Sequence, residues 1–335
     1  MKLYDNNGYV NIRAILDRGI TFNFVVGGRG TGKTFTALSE VVEEGRKFMF
    51  MRRTQEQADT INKPQFSPFK PVNRVRGWDI RTAPISKKNS AFYNGESDSP
   101  IGYTCALSTV ATLRGFDASD VELLIYDEFI PEPHERPIKN EGLAFLNAYE
   151  TINRNRELDG RKPLQVLALA NSNLLANPVF MELGIVNKAF EMCVKKQELS
   201  IDEKRGIAIY LLHDSPISAR KNTTALYKVA GDGDFSAMAI NNAFARDDGV
   251  IIKSMSLSAY NPIVSVGEIC IYMEKSGKGF YVSPHVKGEP VRYGCGSTEI
   301  RRFKNTYAWL WVEHLRGRII FESAMCEILL TKYLK

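Results

Sequence analysis

At 335 residues the chain is long for one hydrophobic core and suits two domains with a connecting piece. Hydrophobic residues at 44% and charged residues at 24% are the balance of an ordinary soluble globular protein, and five scattered cysteines without a C-x-x-C pair argue against a disulfide framework or a zinc site and for a reduced, intracellular setting. The net charge is +6, and no apolar run approaches ~18 residues, so neither a signal peptide nor a membrane span is expected.

In chain order, Val10 to Ile20 is a short amphipathic segment (Ile12, Ile15, Leu16) expected to lie against a sheet. Phe22, Phe24, Val25 and Val26 then read as a buried strand, and Thr34 to Glu44 as a helix. Between them Gly27, the four residues Gly28, Arg29, Gly30 and Thr31, and then Gly32, Lys33 and Thr34 complete the G-x-x-x-x-G-K-[ST] phosphate loop. A triphosphate must be desolvated as it binds. A glycine-rich turn points successive backbone N–H groups at it, from a helix end where the dipole is positive. Lys33 is expected on the β and γ phosphates and the Thr34 hydroxyl on Mg²⁺. A chance glycine-rich turn is the competing account, and the strand and helix on either side count against it.

Lys47 to Met51 is a second buried strand ending in Arg52-Arg53, a pair that could meet phosphate, a carboxylate or only solvent. Thr54 to Gly102, with Pro64, Pro68, Pro71 and Pro84 and turn-rich stretches, reads as an insertion carrying short hairpins at Asp79 to Arg81 and Ser90 to Tyr93. Ile101 to Ser108 is another strand, and Ser108 to Asp120 a helix-to-turn segment. In Val121 to Ile130 the run Leu123 to Tyr126 makes a buried parallel strand that ends in Asp127-Glu128, where open α/β sheets bind their ligands. There the first carboxylate can order the Mg²⁺ shell and the second can polarise the attacking water.

Glu141 to Asn155 is a helix that ends in Asn153-Arg154-Asn155-Arg156-Glu157, which puts Arg154 and Arg156 near its C-terminus. Such cations are ordinary partners of a helix C-terminus, and they could also reach a phosphate in an adjacent subunit. Leu164 to Leu169 is the next strand, with Asn171 at its end, placed to hold water or to report the γ phosphate unless it is a simple turn residue. The order describes a parallel sheet with helices on both faces. Met181 to Cys193 reads as a helix and Gly206 to Leu212 as a strand. The polar stretch from Asp214 to Gly249, with short helices at 218–229 and 235–244, is expected to be a lid or linker.

The remainder changes character. A hairpin around Lys275 to Lys278 joins Ile263 to Met273 and Gly279 to Val282, and helices are expected at Ile300 to Leu315 and Phe321 to Tyr333. After Asp248 there are twelve Lys and Arg against seven Glu and no Asp, which accounts for five of the six net positive charges. That basic end suggests a polyanion, nucleic acid before membrane, with a solvated basic face as the alternative.

With these residues in place, the chain resembles the DNA encapsidation ATPases of small tailed phages of the phi29 type, relatives of the large terminase ATPases. The matching pieces are VVGGRGTGKT (Val25 to Thr34), FMFMRR (Phe48 to Arg53), LLIYDEFIPE (Leu123 to Glu132), NRNRE (Asn153 to Glu157) and LALANSNLLANP (Leu167 to Pro178), together covering about the first half of the chain. The resemblance implies an α/β P-loop NTPase domain of the ASCE type over 1–212 and a helical linker or lid over 213–248. A small basic α+β domain over 249–335 would be RNase H-like, a vestigial nuclease without the aspartates that a two-metal site requires.

It further implies an ATPase that uses ATP and Mg²⁺ to drive double-stranded DNA into a prohead, as a homo-oligomeric ring, a pentamer, docked on the portal. The setting would be the host cytoplasm, transiently at the portal vertex, with no membrane partner; a structural prohead RNA is a partner in the best-known members. By position, Lys33 and Thr34 bind phosphate and Mg²⁺, Asp127 is the Mg²⁺ carboxylate and Glu128 the catalytic base. Arg154 becomes the finger given to the next subunit, with Arg156 its rival, and Asn171 the coupling asparagine. Arg301, Arg302 and Lys304 are expected to contribute to DNA, RNA or portal binding. A P-loop kinase and a helicase are the rival classes; the activated water implied by the Asp-Glu pair suits hydrolysis better than transfer to a hydroxyl.

Overall fold

The computed structural model describes residues 2–113, 117–132, 135–171, 174–213, 215–217 and 253–335. The helices expected at 218–229 and 235–244, and with them nearly all of the linker, fall outside the described residues, as do Ser172 and Asn173. Contacts group the chain into two units. The first takes Met1–Lys139, Ala144–Asn173 and the stretch from Lys196; the second takes Asn140–Leu143, Leu174–Lys195 and the C-terminal stretch.

In the first unit the chain runs through α1 (Ile12–Leu16), β1 (Phe22–Gly27), α2 (Lys33–Glu43) and β2 (Phe48–Arg52). Next come α3 (Gln55–Ile61), α4 (Lys70–Arg76), β3 (Ile80–Pro84), β4 (Ser90–Asn94) and β5 (Pro100–Ala106). Then follow β6 (Leu123–Asp127), α5 (Glu141–Asn153, which begins in the second unit), β7 (Gln165–Ala170), β8 (Leu199–Asp202) and β9 (Ile207–Leu212). The nine strands form one sheet in the order β3-β4-β5-β2-β6-β7-β1-β9-β8. From β5 to β9 all neighbours are parallel, and an antiparallel hairpin closes each edge.

Strand side chains alternate between faces, and the sequence exploits this to bury both. Val25, Ile125 and Leu167 join Ile12, Ile15, Leu38 and Val41 of α1 and α2 in one core. Their neighbours Phe24 and Tyr126 meet Phe145 of α5, with ring centroids 6.4 and 5.7 Å apart. Helices therefore cover both faces, and a strand buried on both faces needs the unbroken apolar runs seen here.

The 54–102 stretch differs from the reading given above. It contains two helices, and its hairpin extends the main sheet: β4 pairs with β5 through Phe92↔Gly102. Thr54 starts α3 with a capping box, its hydroxyl accepting from Gln57 N while the Gln57 side chain returns to Thr54 N. Polar spacing hid the helices; only Ala58 and Ile61 of α3, and Val72 of α4, are buried.

The second unit holds α6 (Pro178–Leu183), α7 (Val186–Val194) and a mixed five-stranded sheet. Its strands are β10 (Tyr260–Val266), β11 (Ile269–Glu274), β12 (Phe280–Ser283), β13 (Val291–Tyr293) and β14 (Ile319–Phe321), ordered β13-β10-β11-β12-β14. Its C-terminal helices are α8 (Ser297–Tyr307), α9 (Trp309–Leu315) and α10 (Ala324–Leu334). The Glu268 carboxylate accepts from Val186 N at 2.7 Å and Asn187 N at 2.8 Å, which caps α7 and ties it to the turn between β10 and β11.

Three expected elements are divided here. The helix over 181–193 breaks at Gly184, which takes φ 62° as the C-cap of α6. The strand over 263–273 is two strands around Gly267 (φ 52°). The helix over 300–315 becomes α8 and α9.

Candidate nucleotide site

All parts of the site sit where parallel strands end. β1 stops at Gly27, β6 at Asp127 and β7 at Ala170, so the phosphate loop, the two carboxylates and Asn171 share the carboxyl edge of the first unit's sheet. Gly30 (φ 77°) and Gly32 (φ 82°) take the left-handed backbone that lets the loop curl back into α2. Gly27 is required for another reason. A Cβ there would lie 2.5 Å from Leu212 Cβ on β9.

The loop is held closed by its own side chains. Thr31 Oγ1 donates to Gly28 O at 3.1 Å, and Thr36 Oγ1 to Gly32 O at 2.9 Å. Lys33 is buried and folds across the loop, its Nζ donating to Gly27 O (2.8 Å) and Gly28 O (2.9 Å). The ammonium thus stands over the cradle where phosphate oxygens would replace carbonyls. Val10 N donates to Thr31 O at 3.0 Å, and the Tyr9 ring lies against Gly32, so the N-terminal segment is fastened to the loop itself.

Thr34 Oγ1 donates to Asp127 Oδ1 at 2.9 Å. A hydroxyl and a buried carboxylate brought together beside a phosphate loop are an oxygen donor set suited to Mg²⁺, which keeps several waters and few protein ligands. Burial pushes the pKa of Asp127 up, toward the neutral form, and Arg52, Thr34 and Lys33 oppose that shift. Glu128 is also pushed up by burial, with Arg52 opposing and Asp127, Glu135 and Glu132 adding to it, and its side chain keeps 43% exposure. Its backbone is left-handed (φ 56°), a conformation costly for a residue with a Cβ and one that strained functional positions often adopt.

Of the three outcomes open for Arg52 and Arg53, the structure selects carboxylates for both. Arg52 forks across the pair, NH1 to Asp127 Oδ2 at 2.7 Å and NH2 to Glu128 Oε2 at 3.0 Å. Arg53 is fully buried and donates to Glu135 Oε2 at 2.8 Å; Gln57 Nε2 donates to Glu135 Oε1 at 2.7 Å. Arg29 pairs with Glu132. The segment after β6 is thereby tied to β2, α3 and the phosphate loop. Two adjacent arginines ending an apolar strand were the only sequence signal for this network.

Arg154 and Arg156 are not brought to these residues. Asn153 Oδ1 accepts from Leu164 N at 2.8 Å, and Arg156 NH2 donates to Val121 O, so this segment lies where β6 and β7 begin. That edge is separated from the phosphate loop by the length of the strands, roughly 16–20 Å for five or six residues. The two arginines differ in kind. Arg156 is 5% exposed and bonded to backbone carbonyls, whereas Arg154 is half-exposed, 3.8 Å from Asp117 Oδ1, and takes φ 50°. In the second unit, Arg301 and Arg302 are exposed, Arg302 pairing with Glu299 at 2.7 Å, and Lys304 donates to the Lys335 carbonyl.

A sequence model of the podovirus DNA encapsidation protein (Gp16) family matches residues 4–282. The DNA packaging proteins of Bacillus phages PZA and phi29 are each 24% identical over 262 residues, which covers 75% of this chain and 70% of theirs. Among solved structures, the Phi-28 gp11 DNA packaging motor superposes with a TM-score of 0.61 at 20% identity, covering 98% of this chain and 97% of that one. The bacteriophage Phi-29 genome packaging motor assembly does so with 0.60 at 17% identity, covering 98% and 99%. At such identities the structural likeness bears on the fold, and it extends through both units.

Proposed function

The chain belongs to the podovirus DNA encapsidation protein family, and on that premise we propose that it is an ATP-hydrolysing motor that drives double-stranded viral DNA into a prohead. The observation that carries the reading is the Thr34–Asp127 hydrogen bond. It joins a complete phosphate loop to an acidic strand end whose next residue is a half-exposed glutamate.

Lys33 and the loop N–H groups bind and orient the β and γ phosphates, exchanging the lysine's present carbonyl partners for phosphate oxygens. Thr34 and Asp127 would hold Mg²⁺, which would supply charge neutralisation at the phosphates. Glu128 accepts the proton of the attacking water, a role favoured by its raised affinity for protons. Arg52 fixes both carboxylates and keeps two adjacent negative groups tolerable beside a triphosphate. Asn171, at the end of β7 beside Asp127, reports the γ phosphate to the rest of the unit.

Hydrolysis takes place at subunit interfaces of a homo-oligomeric ring, a pentamer on the prohead portal. Arg154 is the group given in trans. Its exposure and its distance from its own subunit's phosphate loop support this, and the backbone bonds that occupy Arg156 argue against the rival. The second unit is RNase H-like without cutting activity, its sheet lacking any aspartate for metal ions. Arg301, Arg302 and Lys304 contribute there to polyanion or portal contact.

The test is DNA-stimulated ATPase and genome filling of wild type, Glu128→Gln, Arg154→Ala and their mixtures. Glu128→Gln should bind ATP and hydrolyse it about 10²–10⁴-fold more slowly. Arg154→Ala should fail alone and be partly rescued by Glu128→Gln subunits that retain the arginine. Recovery in strict proportion to wild-type content would remove Arg154 from the interface, and undiminished packaging by Lys33→Ala would end the motor reading.

A further inference from the structure

The phosphate loop stands at the carboxyl edge of the first unit's sheet. A cleft of about 720 Å³ opens at the opposite edge, where β1, β6 and β7 begin, and its walls include Arg46, Arg156, Arg161 and Lys162. Its carboxylates are Asp17, Asp120 and Glu122. Asp120 is taken by Lys47 at 2.7 Å, and Glu122 lies 3.9 Å from Arg46.

The cations are less well matched. Arg156, 95% buried by its 5% exposure, bonds through NH2 to Val121 O and Ser119 O, while its Nε has no hydrogen-bond partner. Arg161 donates to the same Ser119 carbonyl at 2.9 Å, and its nearest carboxylate, Asp159, is 3.8 Å away. Two guanidinium groups thus converge on one carbonyl oxygen. Burial, and after it the charge of Arg161, lowers the affinity of Arg156 for its proton, as expected for cations in each other's field. Lys162 has no ion pair among the described residues.

We infer that this cleft binds a phosphate-type oxyanion between Arg161 and Lys162, with Arg156 as the buried floor of the site. Paired guanidinium groups with an adjacent ammonium are the donor geometry that phosphate oxygens fill, and the anion would relieve the repulsion between the arginines. Free inorganic phosphate and a backbone phosphate of duplex DNA present the same chemistry. The inference does not rest on the ATPase reading, because the phosphate loop lies at the other edge of the sheet.

The test uses the full chain with its phosphate loop saturated by Mg²⁺ and a non-hydrolysable ATP analogue, at ionic strength held constant with sodium chloride. Inorganic phosphate is titrated by calorimetry into wild type, Arg161→Ala/Lys162→Ala and Arg156→Lys, and thermal melts check the fold. Wild type should bind phosphate saturably, and the double variant about tenfold or more weaker, since two of the cations that face the anion are lost. Arg156→Lys keeps the charge and should retain most of the affinity. Competition by a short duplex assigns the site to a DNA phosphate; saturable phosphate binding indifferent to the duplex assigns it to the free ion. No saturable binding with the loop occupied, or equal affinity in a folded double variant, overturns the inference.

Discussion

Removing Arg52 tests what its charge contributes to the stability of this site. The guanidinium is 15% exposed and spans a carboxylate that is 8% exposed and another that is 43% exposed. Only the first contact is truly buried. Breaking a buried pair costs about 3–5 kcal/mol because a charge is left without compensation. Here the Thr34 hydroxyl still donates to Asp127, and Lys33 still lowers its proton affinity, so the lower end applies. The Glu128 half, being exposed, adds about 0–1 kcal/mol. Arg52→Ala should therefore cost about 3 kcal/mol. For a unit of this size that lowers the melting midpoint by about 6–12 °C. The assay is a double-mutant cycle with Asp127→Asn, read by thermal and urea unfolding. Since the amide removes the charge that Arg52 compensates, the double variant should be more stable than the sum of the single losses by about 2 kcal/mol. Additivity within about 0.5 kcal/mol would show that the 2.7 Å contact does not bear on stability, and the account of Arg52 as the compensating charge would fail.

Gly27→Ala places a methyl 2.5 Å from Leu212 Cβ, a backbone-anchored atom that cannot swing away, so unfolding experiments should find a loss of about 1–3 kcal/mol. Arg156→Met should lower the melting temperature, because the Val121 and Ser119 carbonyls lose a donor, whereas Arg154→Ala should leave it within about 1 °C while abolishing DNA-stimulated turnover. Glu268→Gln leaves one acceptor oxygen for the two N–H groups of α7 and turns a donor toward the other, so it should cost the second unit about 1–2 kcal/mol, much of what Glu268→Ala loses, measured by urea unfolding.

Much of this was legible in the chain because a few physical constraints leave little freedom. A strand buried on both faces must be an apolar run, a phosphate loop needs its glycines, and a carboxylate pair at the end of a strand parallel to β1 lies at the same edge of the sheet as the loop. Accordingly β1, β2, β6, β7 and the loop appear where expected. What could not be read depends on partners distant in sequence. The helices α3 and α4 bury so few residues that no apolar stripe announces them, and β8 shows itself only through its antiparallel register with β9. The carboxylate partners of Arg52 and Arg53 lie 75 and 82 residues away and could be named only from coordinates.

The placement of Arg154 shows how a motif can name residues and stay silent on their position. In sequence, Asn153 to Glu157 stands between the carboxylate strand and the asparagine strand, as though all three served one pocket. The chain must nevertheless return from the end of β6 to the start of β7, and α5 is the return path, so whatever follows α5 is delivered to the amino edge. A parallel βαβ unit cannot place residues at both ends of its helix beside the same phosphate. An arginine after α5 can therefore meet a γ phosphate only if another copy presents its carboxyl edge to it. Within the same segment, Arg156 turns inward to Val121 and Ser119, while Arg154, two residues earlier and left-handed at φ 50°, turns out past Asp117. The ring geometry proposed above thus follows from the handed connection of two strands as much as from any motif. A functional Arg154 in an obligate monomer would contradict both.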